Sequence, residues 1–203
     1  MAYATIRRGA SKDGYFAVPE EGSSFFISFT QAAQLGIHEG QELDEIEFDT
    51  LRMKMLGSRC RLKAMDALAR REHGRKELEL KLRQKDFPPD VIGEQLDRLE
   101  AEHLLSDRRF ATQYVDSRQR RNPEGRNLLT MRLMQRGVDR SLAEQVVDTW
   151  FSDFEAAQDA ISRAASKIIC RYPDDRDRLR TDLFKKGFSH SEISIFLEDH
   201  FNS

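Results

Sequence analysis

Leucine stands at positions 78 and 82, at 129 and 133, and at 179 and 183, each pair one helical turn apart. Aligned on Leu82, Leu133 and Leu183, the chain agrees with itself well beyond these pairs. Upstream stand Arg75, Arg126 and Arg176; downstream come Asp86, Gly137 and Gly187, then Phe87, Val138 and Phe188. Ile92, Ala143 and Ile193, followed by Leu96, Val147 and Leu197, complete the apolar set. Apolar positions recurring at this spacing of about 50 residues define an internal repeat. Each repeat parses into three helices. The middle helix begins near Gly74, Gly125 or Asp175 and stops at Asp86, Gly137 or Gly187, where the backbone turns left-handed. Glycine adopts that conformation freely and aspartate less so, which makes Asp86 the weakest stop. A third helix follows with Ile92, Leu96 and Leu99 on one face, echoed by Leu142, Val146 and Trp150.

Helices of about 11 residues are marginal alone in water. The repeats must therefore pack within themselves and stack end to end, which predicts a mainly α protein with an elongated, curved body. The expected boundaries are 57–105, 106–153 and 154–203. The first 56 residues read differently. "YFAV" and "FFISF" are aromatic and β-branched, with "PEEGSS" between them as a turn, so this region is expected to hold a small β-hairpin and a linker helix. Thr30 is placed to cap a short helix ending at Gly36, and the hairpin needs the helical part as support.

Charge adds a direction to this picture. The formal net charge is −2, but residues 1–56 carry −4, residues 57–152 carry +4 and residues 153–203 carry −2. Two windows, 59–85 and 108–140, each reach +6. A basic centre between acidic ends suits a polyanion or an acidic protein surface. The candidate contacts are Arg70, Arg71, Arg75, Lys76 and Lys81 in "ARREHGRKELELKLRQK", and Arg118, Arg120, Arg121, Arg126, Arg132 and Arg136 in "SRQRRNPEGRNLLTMRLMQR". Both sets sit at the end of one helix and the start of the next, so they are expected at equivalent corners of successive repeats. Guanidinium forks suit phosphates and carboxylates alike. Aromatics are not interleaved with them, so base-specific reading of a nucleic acid is not indicated.

Catalytic chemistry is not expected. The sequence has no phosphate-cradling GxxxxGK, no GxGxxG, no GxSxG and no HExxH. Carboxylate pairs such as Asp174 and Asp175, or Glu77 and Glu79, lack a base or nucleophile to complete a site. Cys60 and Cys170 are read as reduced thiols, and His38, His73, His103, His190 and His200 as solvated or capping residues. No metal and no cofactor is expected. The absence of a signal-like apolar start or a long apolar run makes the cytoplasm the expected address, with no membrane contact.

The stretch Ala67 to Arg121, with "RREHGRKEL" before the second helix, "KLRQKDF" at its end and "LLSDRRFATQYVDSR" opening the next repeat, resembles the RecX family of bacterial regulators of the RecA recombinase. The resemblance covers about residues 57–203 and is loose over the N-terminal region. It implies tandem three-helix repeats without enzymatic activity that bind along the RecA filament and limit its growth and activities, with DNA phosphates, single-stranded or duplex, as secondary and non-specific contacts. In two places the chain departs from the family. Gly74 stands where serine is usual, which removes a capping oxygen. In the third repeat Asp174, Asp175, Asp177 and Asp182 offset Arg176, Arg178 and Arg180, so this repeat is expected to contribute less. Two other readings stand beside this one: a helix-turn-helix-like module acting on DNA directly, and a helical adaptor. A sequence pI near 6.2 speaks against a protein that holds DNA unaided.

Overall fold

The computed structural model describes residues 3–9, 13–173 and 175–201. Asp174, named above in two roles, lies outside these. The described residues form ten helices and one small sheet, and they divide into two compact units: residues 1–65 with 82–95, and residues 66–81 with 96–203.

In the first unit, strands β1 (Ala4–Arg8), β2 (Gly14–Pro19), β3 (Phe25–Ser28) and β4 (Glu42–Leu43) form an antiparallel sheet in the order β3-β2-β1-β4. The expected hairpin is β2 and β3, with Phe16 opposite Phe26. Two strands were missed. β1 pairs Ile6 with Ala17 across the sheet, and β4 is too short to read as a strand. The short helix α1 (Phe29–Leu35) is capped by Ser28 rather than Thr30, because Ser28 and Gln31 form a reciprocal capping box, and it stops at Gly36 with φ 68°. The long helix α2 (Glu45–Leu68) starts from a second such box between Asp44 and Glu47. Its Phe48, Leu51 and Met55 cover Ala4, Ile6, Ala17 and Ile27, supplying the support that the strands need. Cys60 is buried on the same helix, and burial pushes its thiol up to about 11, which keeps it protonated and unreactive. Cys170 is exposed.

The remaining helices fall into the expected groups of three. α3 (Arg75–Arg83) and α4 (Pro89–Ala101) follow α2. The second group is α5 (Asp107–Arg121), α6 (Arg126–Gln135) and α7 (Arg140–Phe151), and the third is α8 (Phe154–Ile169), α9 (Arg176–Lys185) and α10 (His190–Phe201). Leu82, Leu133 and Leu183 are all buried, as are Leu78, Leu129 and Leu179 one turn before them. Each middle helix ends in the same way. Asp86, Gly137 and Gly187 have φ 61°, 87° and 88°, and the N–H of the next residue returns to the carbonyl of Leu82, Leu133 or Leu183 at 3.4, 3.1 and 3.3 Å. This is the double-bonded helix stop in which a left-handed residue lets the chain satisfy its last carbonyls. In α7 the buried face is Ala143, Val146, Val147 and Phe151, while Leu142 and Trp150 are only half-buried against it. Ala143 and Val147 are thus buried as the repeat alignment requires, while of the stripe Leu142, Val146 and Trp150 only Val146 is fully buried.

The glycine stops do more than turn the chain. In the second unit a Cβ on Gly187 would lie 2.5 Å from Leu128 Cβ, and one on Gly137 would lie 2.3 Å from Lys76 Cβ. Residue 137 thus meets the start of the preceding middle helix much as residue 187 does. The N–H of Gly125 donates to Lys186 O at 2.8 Å, and that of Asn127 donates to Gly187 O at 3.2 Å, so the third group supplies acceptors for the first turn of α6. The corresponding job at α3 is done by Asp107, whose Oδ1 accepts from Arg75 N at 2.7 Å and stands 3.3 Å from where a Cβ of Gly74 would be. The capping oxygen missing at Gly74 is therefore replaced from the next group. Helix α9 is capped by its own Asp175. Among the described residues no helix is long and apolar enough to cross a membrane.

Two predictions follow from this packing. Leu133→Ala removes a fully buried side chain and should cost about 2–5 kcal/mol in chemical denaturation, and a neutral result would contradict the repeat register. Gly40 has φ 81° and open space around it. Gly40→Ala should therefore show only the left-handed penalty of about 1–2 kcal/mol. Gly187→Ala should cost clearly more, and equal losses would mean that the close approach to Leu128 carries no weight.

Candidate functional site

The basic side chains singled out in the sequence lie at the helix corners, but they are not equivalent in what they do. Arg75 Nη2 lies 2.7 Å from Asp97 Oδ1 and its Nη1 pairs with Glu100, both on α4. Arg126 repeats the arrangement one group later, with Nη1 at 2.9 Å from Asp148 Oδ1 and Nη2 donating to Phe151 O at 3.3 Å, while its guanidinium sits 4.6 Å over the Phe151 ring. Arg176 lies 5.6 Å over the ring of Phe201, the counterpart of Phe151. In each group an arginine opening the middle helix thus clamps the end of the third helix. Arg126 also reaches Glu192 at 3.2 Å, linking the second group to the third.

A second set converges on a buried carboxylate. Glu124 is 1% exposed; its backbone N–H and carbonyl are both held by the side-chain amide of Gln119, and Arg118 Nη2 pairs with its Oε1. Arg132 Nε lies 2.8 Å from Oε2, close enough for an ion pair but not aligned as a hydrogen bond. The counterpart of Glu124 in the first group is His73, and the counterpart of Arg132 is Lys81. His73 is buried rather than solvated. Its Nδ1 is 3.0 Å from Arg71 O and its Nε2 is 2.6 Å from Lys81 Nζ. Nδ1 therefore carries the proton and Nε2 accepts from the ammonium. Burial lowers the pKa of His73, and the cations Arg71 and Lys81 press it down further against the opposing pull of the Arg71 carbonyl and Glu77. Arg71 in turn pairs with Glu77, and Lys76 with Glu79 at 3.2 Å. Arg136 stacks at 4.8 Å over Tyr114, and Arg120 Nε donates to its own helix at Asp116 O.

At one corner of the repeat an exposed arginine with no partner among the described residues recurs: Arg70, Arg121 and Arg171. They occupy the same place in the repeat, at the end of the first helix. Sequence reading named the first two among many and passed over Arg171, although the 50-residue spacing carries it. The acidic residues of the third group turn out to be engaged locally. Asp175 caps α9 through Arg178 N, and Asp182 pairs with Arg178 and Lys185.

This arrangement, tandem three-helix groups with the same clamp and the same helix stop, defines a class of helical-repeat protein, and comparison with known proteins gives it a family. Residues 60–99 match the model of the first three-helix domain of RecX, and residues 106–147 match that of the second. The regulatory protein RecX of Chlorobium phaeobacteroides (strain BS1) is 33% identical over 143 residues, covering 69% of this chain and 92% of that protein. The regulatory protein RecX of Pseudomonas fluorescens (strain Pf-5) is 40% identical over 138 residues, covering 66% of this chain and 86% of that protein. A crystal structure of regulatory protein RecX superposes with a TM-score of 0.76 at 20% identity, covering 98% of this chain and all of that one, which is a likeness of fold. The chain belongs to the RecX family.

The buried histidine gives this site a pH signature. Its pKa is lowered in the folded protein, so as pH falls through the ordinary histidine range near 6.5 the unfolded chain takes up a proton before the folded chain does. The stability contributed here is whole above that range and is lost as pH falls toward the folded value. Between pH 7.5 and 5.5 the parent should therefore lose more thermal stability than His73→Gln. Parallel pH profiles for the two proteins would show that His73 is not held neutral.

Proposed function

We propose that this chain is a non-catalytic, cytoplasmic regulator of the RecA recombinase that binds the RecA–DNA filament and limits its growth and activities. Membership of a family whose relatives are named regulatory proteins supports the regulatory part. The observation that carries the mode of binding is the row Arg70, Arg121 and Arg171, an unpartnered guanidinium that recurs at the same corner of each repeat. The phosphates of duplex DNA follow one another every 1.7 Å or so, whereas a single helix is already about 10 Å across. Contacts spaced by a whole three-helix group therefore suit carboxylates recurring from subunit to subunit of a protein filament better than they suit a bare nucleic acid.

Arg75 and Arg126 enter this reading as braces that hold the corners in place. The substitution of choice is accordingly the triple charge reversal Arg70→Glu, Arg121→Glu and Arg171→Glu, which touches no internal ion pair. The parent at substoichiometric amounts should slow ATP hydrolysis by RecA on single-stranded DNA. The triple variant should need on the order of 10²-fold more protein for the same effect, because each anchor raises the effective concentration of the next. A parent without effect at equimolar protein would sink the regulatory reading, and a triple variant that inhibits normally would remove the row from it.

A further inference from the structure

We infer that two copies of this chain pair about a twofold axis, each seating Phe154 in a notch between α5 and α7 of the other. Phe154 opens α8 and is 70% exposed, the most exposed aromatic side chain among the described residues. The other exposed aromatics each have a neighbour against the ring. Phe26 meets Phe16, Phe184 stacks on His190, Phe201 lies edge-on to His200, and Tyr172 carries Arg178 over its ring. Phe154 has no ring and no cation against it among the described residues. Single exposed apolar residues are ordinary on a protein surface, so what gives this one meaning is a cavity that fits it.

That cavity lies in the same compact unit. It has a volume of about 180 Å³ and is lined by Thr112 and Val115 of α5 and by Val146, Thr149 and Trp150 of α7, with the exposed Arg108 beside them. The threonine hydroxyls donate within their own helices, Thr112 Oγ1 to Arg108 O at 3.0 Å and Thr149 Oγ1 to Gln145 O at 2.7 Å. These residues therefore offer the notch their methyl groups, and the lining is apolar. Sites for cofactors and other small molecules run to roughly 300–1,000 Å³, so the notch has room for one side chain and not for such a ligand.

Charge completes the match. Arg108 Nη2 donates to Gln145 Oε1 at 2.9 Å, a neutral acceptor, and the guanidinium has no carboxylate partner among the described residues. Glu155, next to Phe154, is exposed and has no cation partner among the described residues. A Phe154 seated in the notch brings this carboxylate toward the guanidinium at the edge. The placement of the two features argues for a twofold pair. Ala157, one turn after Phe154 on α8, packs against the core of the second group as Trp150 does, so knob and notch open on neighbouring parts of one surface. Two such surfaces facing each other make both contacts at once, and the pair closes without growing further. An association resting on two aromatic anchors and two ion pairs at the rim belongs to the weak, concentration-dependent class.

This pairing does not depend on the filament reading, and its test needs only the full chain. Trp150 is the one tryptophan of the chain, so its emission reports on the notch. Sedimentation equilibrium and tryptophan emission are followed as the protein is concentrated through the micromolar and submillimolar range. The parent should pass from one copy to two, with the emission moving to shorter wavelength as the partner's ring covers Trp150. Phe154→Ser should raise the dissociation constant about tenfold or more and leave the emission unshifted. Arg108→Glu and Glu155→Arg should each weaken pairing, and the two together should restore it, since the exchanged charges again face each other. Circular dichroism establishes that the variants are folded, and all three positions are exposed. A parent that stays single throughout would leave the notch to some other protein and overturn the proposal. So would a Phe154→Ser variant that pairs normally, an emission that does not follow the pairing, or a charge exchange that fails to restore it. Growth beyond two copies would place knob and notch on different faces and would overturn the twofold pair.

Discussion

The N–H groups at the start of a helix have no acceptors within that helix, and how this chain satisfies them at its middle helices determines much of the rest. At α6 the acceptors are the carbonyls of Lys186 and Gly187, contributed by the following group, and at α3 the acceptor is the carboxylate of Asp107. Backbone can reach backbone at such distances only where no side chain intervenes. Gly125 would place a Cβ 2.2 Å from the carbonyl of Gly187, and Gly187 would place one 2.5 Å from Leu128 N. Gly187 must also turn left-handed to end its own helix. Two separate demands, on conformation and on space, thus fall on one position, and glycine alone meets both. At helix α9 the sequence changes to Asp175, which caps the helix from within.

The ion pairs divide in a similar way between recurring and local solutions. The arginine that opens the middle helix clamps the end of the third helix in every group, but its partners change from Asp97 and Glu100 to Asp148 and Phe151 O and then to the ring of Phe201. Much of each guanidinium remains in contact with water, so every clamp contributes modestly by itself and acts mainly to fix geometry. The buried position before it is more exacting. Glu124 is charged and needs Arg118 and Arg132, whereas His73 is neutral and accepts one hydrogen bond from Lys81. A buried carboxylate without its cations would be costly. The change from histidine to glutamate therefore goes together with the change from lysine to arginine and with the arrival of Arg118.

Much of the fold was readable because it repeats. Leucines 78, 82, 129, 133, 179 and 183 identify themselves by comparison with one another, and the left-handed stops follow from Asp86, Gly137 and Gly187. What was not readable depends on contacts between distant residues or on elements too short to show a period. β4 has only two residues, and Ile6 declares itself a core residue only when paired with Ala17. Asp107 gives no sign in the sequence that it caps a helix beginning 32 residues earlier. For the candidate contacts the sequence supplied a list of cations without a way to rank them. Arg75 and Arg70 look alike as letters, and only the positions of Asp97 and Glu100 make the first a brace and leave the second exposed.

That distinction bears on how much positive charge a protein with a net charge of −2 has free to offer. Most of its arginines are consumed internally, and counting them overstates what is offered to a partner. Two arrangements of basic side chains contrast. Arg70, Arg121 and Arg171 are single charges separated by whole helical groups, while Arg118, Arg132, Lys167 and Lys186 are crowded around one carboxylate. Sparse charges in a fixed row gain little from any one contact and depend on being engaged together, which makes them sensitive to the spacing of the partner. Crowded charges gain from the density of the partner and are indifferent to its longer period.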